Sequence, residues 1–171
     1  MASRVLVVGI GLVVLIILFV FIKGLLSGGG NKEAMLHVVQ DQQEIIHLTK
    51  GAGQQQTISE ANKNFAVTAQ LSITSQQSQL KKYLIKQEHL KLNLKDINLK
   101  VSSTLDTNLA NAAAASTYDS TFRDIMKAQL ANYKTALSIA YKQTPGPNGQ
   151  KLLKDDYTSA SLLLEQLTAG D

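Results

Sequence analysis

The chain has 171 residues, which is enough for one domain and one hydrophobic core beside a short accessory segment. It contains no cysteine, and this excludes a disulfide framework and any thiolate site. Arg4 and Lys23 belong to the N-terminal segment, so the rest of the chain contains 15 of the 17 basic residues together with all 13 acidic ones. Such a near-neutral domain lacks the general charge signature of nucleic-acid binding.

Residues 5–22, VLVVGIGLVVLIILFVFI, contain no charged side chain and lie between Arg4 and Lys23. A helix of this length spans about 27 Å, close to the ~30 Å hydrocarbon core of a bilayer. We therefore predict an N-terminal tail at 1–4, a transmembrane signal-anchor helix at 5–26 and a Gly-rich linker at 27–31. A cleaved signal peptide stays open as the alternative, since residues 27–29 resemble a weak cleavage site.

The basic residues that flank this segment are nearly balanced, with Arg4 before it and Lys23 and Lys32 after it. A short tail carrying an arginine is typical of a signal anchor whose N-terminus stays inside. We therefore expect a single-pass protein of the cell membrane, with its C-terminal domain on the extracytoplasmic side.

Residues 32–171 are predicted to form an all-α domain, because proline is rare, glycine is clustered, and Ala, Leu, Gln and Lys are abundant. The first helix is expected at 32–50, ending at Gly51-Ala52-Gly53. The capping-box pattern of residues 57–60 predicts a second helix, which continues through the polar stretch 70–79.

The stretch 88–105 fits two structures. Alternating Leu90, Leu92 and Leu94 fit a small hairpin, whereas Leu90, Leu94 and Ile97 fit a helix, which we favour because the surrounding sequence is helical. Residues 106–116 fit a short helix or a turn. Helices are expected at 118–143 and 150–168, separated by a break at 144–149. Short connections then favour an up-down bundle of four or five amphipathic helices.

Glu44 and His47 form one Glu-x-x-His pair, whose spacing directs both side chains toward one metal. Di-iron and di-manganese bundles use two such pairs, and the predicted helices 118–143 and 150–168 contain no histidine. A ferritin-like metal-binding bundle is therefore kept as an alternative, while the main prediction includes no metal and no cofactor.

The stretch 81–100 is locally basic, and Lys82, Lys86, Lys91 and Lys95 are the candidate contacts to an anionic lipid or wall polymer. A solvated helix face explains the same lysines. Without interleaved aromatic residues, this stretch does not predict nucleic-acid binding.

No nucleophile motif and no convergent set of carboxylates indicates a catalytic residue. The sequence therefore predicts a membrane-anchored, non-enzymatic helical bundle, an interaction or accessory subunit of the cell envelope. Its expected partners are the bilayer, through residues 5–26, and other envelope proteins. The sequence does not indicate an oligomeric state.

Overall fold

The computed structural model describes residues 30–169. The predicted tail, transmembrane helix and most of the linker lie outside this part of the chain, as do Arg4 and Lys23. Within residues 30–169 every regular element is helical, which confirms the all-α prediction for this range. No helix there is both long enough and apolar enough to cross a membrane.

Six α-helices follow one another in the described range. They are α1 (Asn31–Gln54), α2 (Glu60–Lys86), the short α3 (Leu94–Ile97), α4 (Ser103–Ala114), α5 (Tyr118–Gln143) and α6 (Pro147–Thr168). A 3-10 turn, Asn98–Lys100, follows α3 directly.

The four long helices form a bundle in which α1 and α6 each pack against α2 and α5. Every long helix contributes large side chains to one shared core, among them Met35, Phe65, Leu130 and Leu153. The rings of Phe65 and Phe122 meet edge to face, with their centroids 6.4 Å apart. Burial of these apolar surfaces is the main stabilising contribution to the bundle.

The directions of the long helices differ from a simple up-down order. Near the starts of α2 and α5, Asn62 Nδ2 donates to Asp119 Oδ1 over 2.7 Å. In the middle of the same two helices, Tyr133 Oη lies 3.2 Å from Gln76 Oε1. The two helices therefore run in the same direction. The predicted up-down order holds within each hairpin, α1–α2 and α5–α6, but not between them.

Residues 87–117 connect the end of α2 to the start of α5 and therefore cross the length of the bundle. This crossover lies on the outer face of α1, where the backbone carbonyl of Asp96 accepts a hydrogen bond from Gln40 and the backbone N–H of Ser102 donates to Glu44. As a result, α1 is buried on its outer face as well as on its core face. A four-helix bundle with one long crossover is an established variant of the architecture.

The crossover corrects the prediction for 88–105, which is neither one helix nor a hairpin. Residues 87–93 are irregular, and only α3 and the 3-10 turn are regular before α4 begins. Leu90 and Leu92 pack against the core, whereas Leu94 and Leu99 are exposed. Docking on α1 therefore decides this conformation, and no single period in the sequence describes it.

Two helix boundaries also differ by several residues from the predicted ones. Helix α1 continues through Gly51 and Gly53 to Gln54, because neither glycine adopts a positive φ and Ala52 is fully buried. Helix α6 begins at Pro147 in place of residue 150, since proline is well accommodated in a first helical turn. The polar stretch 70–79 is continuous helix, as predicted.

Gly149 is packed too closely for a side chain. A Cβ atom at this position would lie 2.7 Å from both Thr144 Cγ2 and Tyr83 Oη. We expect Gly149→Ala to lower the free energy of unfolding by about 1–3 kcal/mol, because the Tyr83 ring and the Thr144 methyl group must both shift to make room for the Cβ atom. Urea unfolding of the purified full chain measures this loss.

Gly51→Ala is the matched control for this substitution. Gly51 is helical, and a Cβ atom there would meet nothing within 4 Å. This substitution is expected to raise the free energy of unfolding by about 0.5–1 kcal/mol, since alanine is the better helix former. Equal effects of the two substitutions would contradict the close packing at Gly149.

Candidate functional site

A layer of polar side chains crosses the centre of the bundle, with one residue from each long helix. Gln42 Nε2 donates to Tyr133 Oη over 2.8 Å and to Asp156 Oδ2 over 3.1 Å. Gln76 completes the layer through its contact with Tyr133. Gln42 and Tyr133 are fully enclosed, while Gln42 Oε1 has no hydrogen-bond partner. We call Gln42, Gln76, Tyr133 and Asp156 the polar layer.

Burial controls the protonation of the polar layer. Desolvation raises the pKa of Asp156 to about 7, and the hydrogen bonds from Tyr133 and Gln42 oppose it only in part. Desolvation, followed by the charge of Asp156, raises the pKa of Tyr133 well above its ordinary value. The layer therefore joins a neutral phenol to a carboxyl group that holds its proton up to about neutral pH.

A second set of carboxylates lies on the outer face of α1, beneath the crossover. Asp41 Oδ1 pairs with Lys100 Nζ at 2.5 Å, and Glu44 Oε2 accepts the Ser102 N–H at 3.1 Å. Desolvation raises the pKa of Asp41, although Lys100 opposes it, and it raises the pKa of Glu44 to about 7. These carboxylates hold the crossover against α1.

The proposed metal ligands do not converge. Glu44 is directed toward the backbone of Ser102, while His47 Nε2 lies 2.8 Å from Asp106 Oδ1 on the exposed side of α1. Both contacts are made to the crossover, and neither side chain belongs to the polar layer. Among residues 30–169 no three carboxylate or imidazole groups lie close enough to hold a metal ion. The described residues therefore give the ferritin-like alternative no ligand set.

The four candidate lysines occupy one region without forming an enclosed site. Lys82 and Lys86 are exposed near the end of α2, Lys91 is exposed in the irregular segment that follows, and Lys95 is exposed on α3. They therefore form part of a surface.

An open groove of about 460 Å³ runs between α5 and α6. Lys134 and Tyr157 lie on its two sides, with the lysine Nζ 5.0 Å from the centre of the tyrosine ring. Ile139, Lys142 and Leu164 also line it, but no residue of the polar layer does. The groove therefore gives a ligand no contact with the titratable groups of the core.

The outward face of α2 carries apolar side chains with no cover in the described part of the chain. Leu71 is 69% exposed, and Val67, one turn before it, is 47% exposed. Ile85 is 51% exposed on the same side of the helix, since residues 67, 71, 78 and 85 recur at helical spacing. We call Val67, Leu71 and Ile85 the α2 apolar face.

Sequence reasoning missed the polar layer and the carboxylates under the crossover. Gln42 and Tyr133 recur with apolar residues at helical spacing, a pattern that indicates inward-facing positions but gives no partner. Asp41, Glu44 and Asp156 carry no local signal of burial, because their neighbours come from segments 58 to 114 residues away along the chain.

Comparison with known proteins gives no match: no family model, no curated protein and no solved structure is similar to this chain.

Proposed function

We propose that this protein is a membrane-anchored, non-enzymatic helical bundle that acts through protein–protein contacts on the extracytoplasmic face of the cell envelope. The anchor is the apolar segment 5–26, and the bundle is the part that contacts other proteins. Tethering confines the bundle to two dimensions, so weak contacts become effective at the high local concentration that results.

The observation that carries the interaction role is the α2 apolar face. Exposed apolar residues at helical spacing form the kind of helix face that packs against an apolar surface of another protein. Leu71 is the most exposed residue of this face. By contrast, the titratable groups of the polar layer and the carboxylates beneath the crossover, whose pKa values are raised, are enclosed and engaged in contacts that hold the bundle together, which favours a structural role for them.

Single cysteines test both parts of this proposal, because the natural chain has none. Leu71→Cys reports on the α2 apolar face, and Thr158→Cys, at an exposed position of α6, is the matched control. Cells with an opened outer barrier and an intact inner membrane are treated with a membrane-impermeant maleimide. We expect position 158 to react fully and position 71 at least about fivefold more slowly, while both react alike in the purified protein, because the partner covers α2.

Two results would contradict the proposal. Reaction of both cysteines only after lysis would place the bundle in the cytoplasm. Equal reaction at both positions in intact cells would remove the evidence for a partner on α2.

A further inference from the structure

The two ends of the bundle differ in charge. At one end of the bundle α1 begins, α2 ends and α5 is connected to α6. We call this end the entry pole, because the chain enters the bundle there at Gly30. The opposite end, where α1 ends and α2 and α5 begin, is the far pole. Close packing of Gly149, early in α6, against Tyr83, late in α2, places both helix ends at the entry pole.

The entry pole is basic. Within about two turns of this end there are eight lysines and two glutamates, Glu33 and Glu88; the lysines are Lys32, Lys81, Lys82, Lys86, Lys91, Lys142, Lys151 and Lys154. All of these lysines but Lys81 are exposed, and Lys151 pairs with Asp155, which lies just beyond this distance.

The far pole has no such excess. Within the same distance of that end, the described residues carry three basic and four acidic side chains, namely Lys50, Lys63, Arg123, Glu60, Asp119, Asp124 and Glu165. The charge difference between the poles therefore arises from the fold, which gathers residues from four helices and the crossover, and is wider than the basic stretch at 81–100.

The basic pole is also the end at which residue 30 joins the proposed anchor segment along the chain. Four residues, 27–30, separate the apolar segment from α1, and an extended chain of that length reaches at most about 14 Å. Electrostatic attraction to an anionic surface is felt over a Debye length of about 8 Å at physiological salt. A bundle held so close to a bilayer can place its basic pole within that range.

We propose that the entry pole docks on the anionic lipid headgroups of the bilayer that holds the anchor, and so fixes the orientation of the bundle. This inference rests on the proposed anchor. A lipid surface fits better than a wall polymer because the lysines surround the point at which the chain leaves the bundle toward the membrane. With the entry pole against the lipid, Val67 and Leu71 of the α2 apolar face stand on the side of the bundle and remain accessible to a protein partner, whereas Ile85 lies at the entry pole itself.

The full chain is reconstituted in vesicles of neutral phosphatidylcholine, with or without about 30 mol % phosphatidylglycerol to supply an anionic surface. A donor dye is attached to Gln87→Cys at the entry pole or to Gln56→Cys at the far pole, both exposed positions. Energy transfer to an acceptor on the lipid headgroups reports the distance of each pole from the bilayer. We expect transfer from position 87 to rise at least about twofold in anionic vesicles and to fall again in about 0.5 M NaCl, where charges are screened. Transfer from position 56 should not rise.

Charge-matched double variants separate docking from a general charge effect. Lys86→Gln with Lys91→Gln removes two exposed charges from the entry pole and should abolish at least half of the rise. Lys50→Gln with Lys63→Gln removes the same charge from the far pole and should leave the rise unchanged.

Equal transfer in neutral and anionic vesicles, or equal losses in the two double variants, would overturn the docking. The rise in energy transfer could also be reversed by a soluble anionic wall polymer added at constant ionic strength. That result would identify the polymer as the ligand of the entry pole and would likewise overturn the docking on lipid. Flotation of the protein with neutral vesicles tests the anchor separately. Protein that does not float with the vesicles would overturn the proposed anchor and therefore also the docking proposal.

Discussion

Replacing Lys100 with methionine is expected to lower the free energy of unfolding by about 3–5 kcal/mol at pH 8, because it leaves the Asp41 carboxylate without its charged partner. Asp41 is almost fully buried, and its second oxygen, Oδ2, has no hydrogen-bond partner. Lys100 is therefore the main cationic contact that offsets the desolvation of this carboxylate. The same contact fastens the 3-10 turn of the crossover to α1.

The pH dependence identifies the cause of this loss. Without Lys100 the pKa of Asp41 rises further, and an acid with a raised folded-state pKa destabilises the fold progressively as pH increases above its unfolded value. We therefore expect a loss of only about 1–2 kcal/mol at pH 5, where Asp41 can accept a proton at low cost. Denaturant unfolding at the two pH values measures the difference.

Lys95→Met is the matched control, since it removes an exposed lysine from the same crossover. Its expected effect is within about 0.5 kcal/mol at either pH. The double variant Lys100→Met with Asp41→Asn should regain most of the lost stability. Such a recovery would support the pairing of Asp41 with Lys100. A loss that is equal at pH 5 and pH 8 would attribute the effect of Lys100 to packing alone.

Helical periodicity predicted those parts of the fold in which one face of a helix meets the core. Phe122, Met126, Leu130, Tyr133 and Leu137 recur at helical spacing and are all buried, and α5 has the predicted bounds. Such stripes are local, so a single sequence reveals them. Composition gave the all-α class, since proline is rare and glycine is clustered outside the periodic segments.

Periodicity could not predict the route of the chain between α2 and α5. A helix covered on both sides, as α1 is, buries charged residues on the face that a sequence pattern assigns to solvent. Asp41 and Glu44 look like members of a polar face, and only the contacts from residues 100 and 102 reveal their burial. The Glu-x-x-His spacing supports a metal site only as an alternative, and in the structure both side chains contact the crossover.

Asp156→Asn is expected to stabilise the protein at pH 8 by about 2–4 kcal/mol and to have little effect at pH 4, where the gain is about 0.5 kcal/mol. The folded-state pKa of Asp156 is about 7, against an ordinary value of 3.8. Below pH 3.8 the carboxyl group is protonated in both states and costs nothing. Between pH 3.8 and 7 the unfolded chain loses the proton first, so the free energy of unfolding falls as pH rises.

Asparagine keeps an amide oxygen that can accept the Gln42 hydrogen bond, and it carries no charge to desolvate. Asp155→Asn is the control one residue away: Asp155 is exposed and paired with Lys151, so its removal should change stability by less than about 0.5 kcal/mol. Unfolding free energies at several pH values would show the natural protein losing stability from pH 4 to 8 and Asp156→Asn losing markedly less. Parallel curves for the two proteins would mean that Asp156 is charged in the fold at acidic pH, and that the polar layer solvates it better than its burial indicates. The pH dependence thus tests whether a neutral polar layer, with one side chain from each long helix, holds the centre of this bundle together.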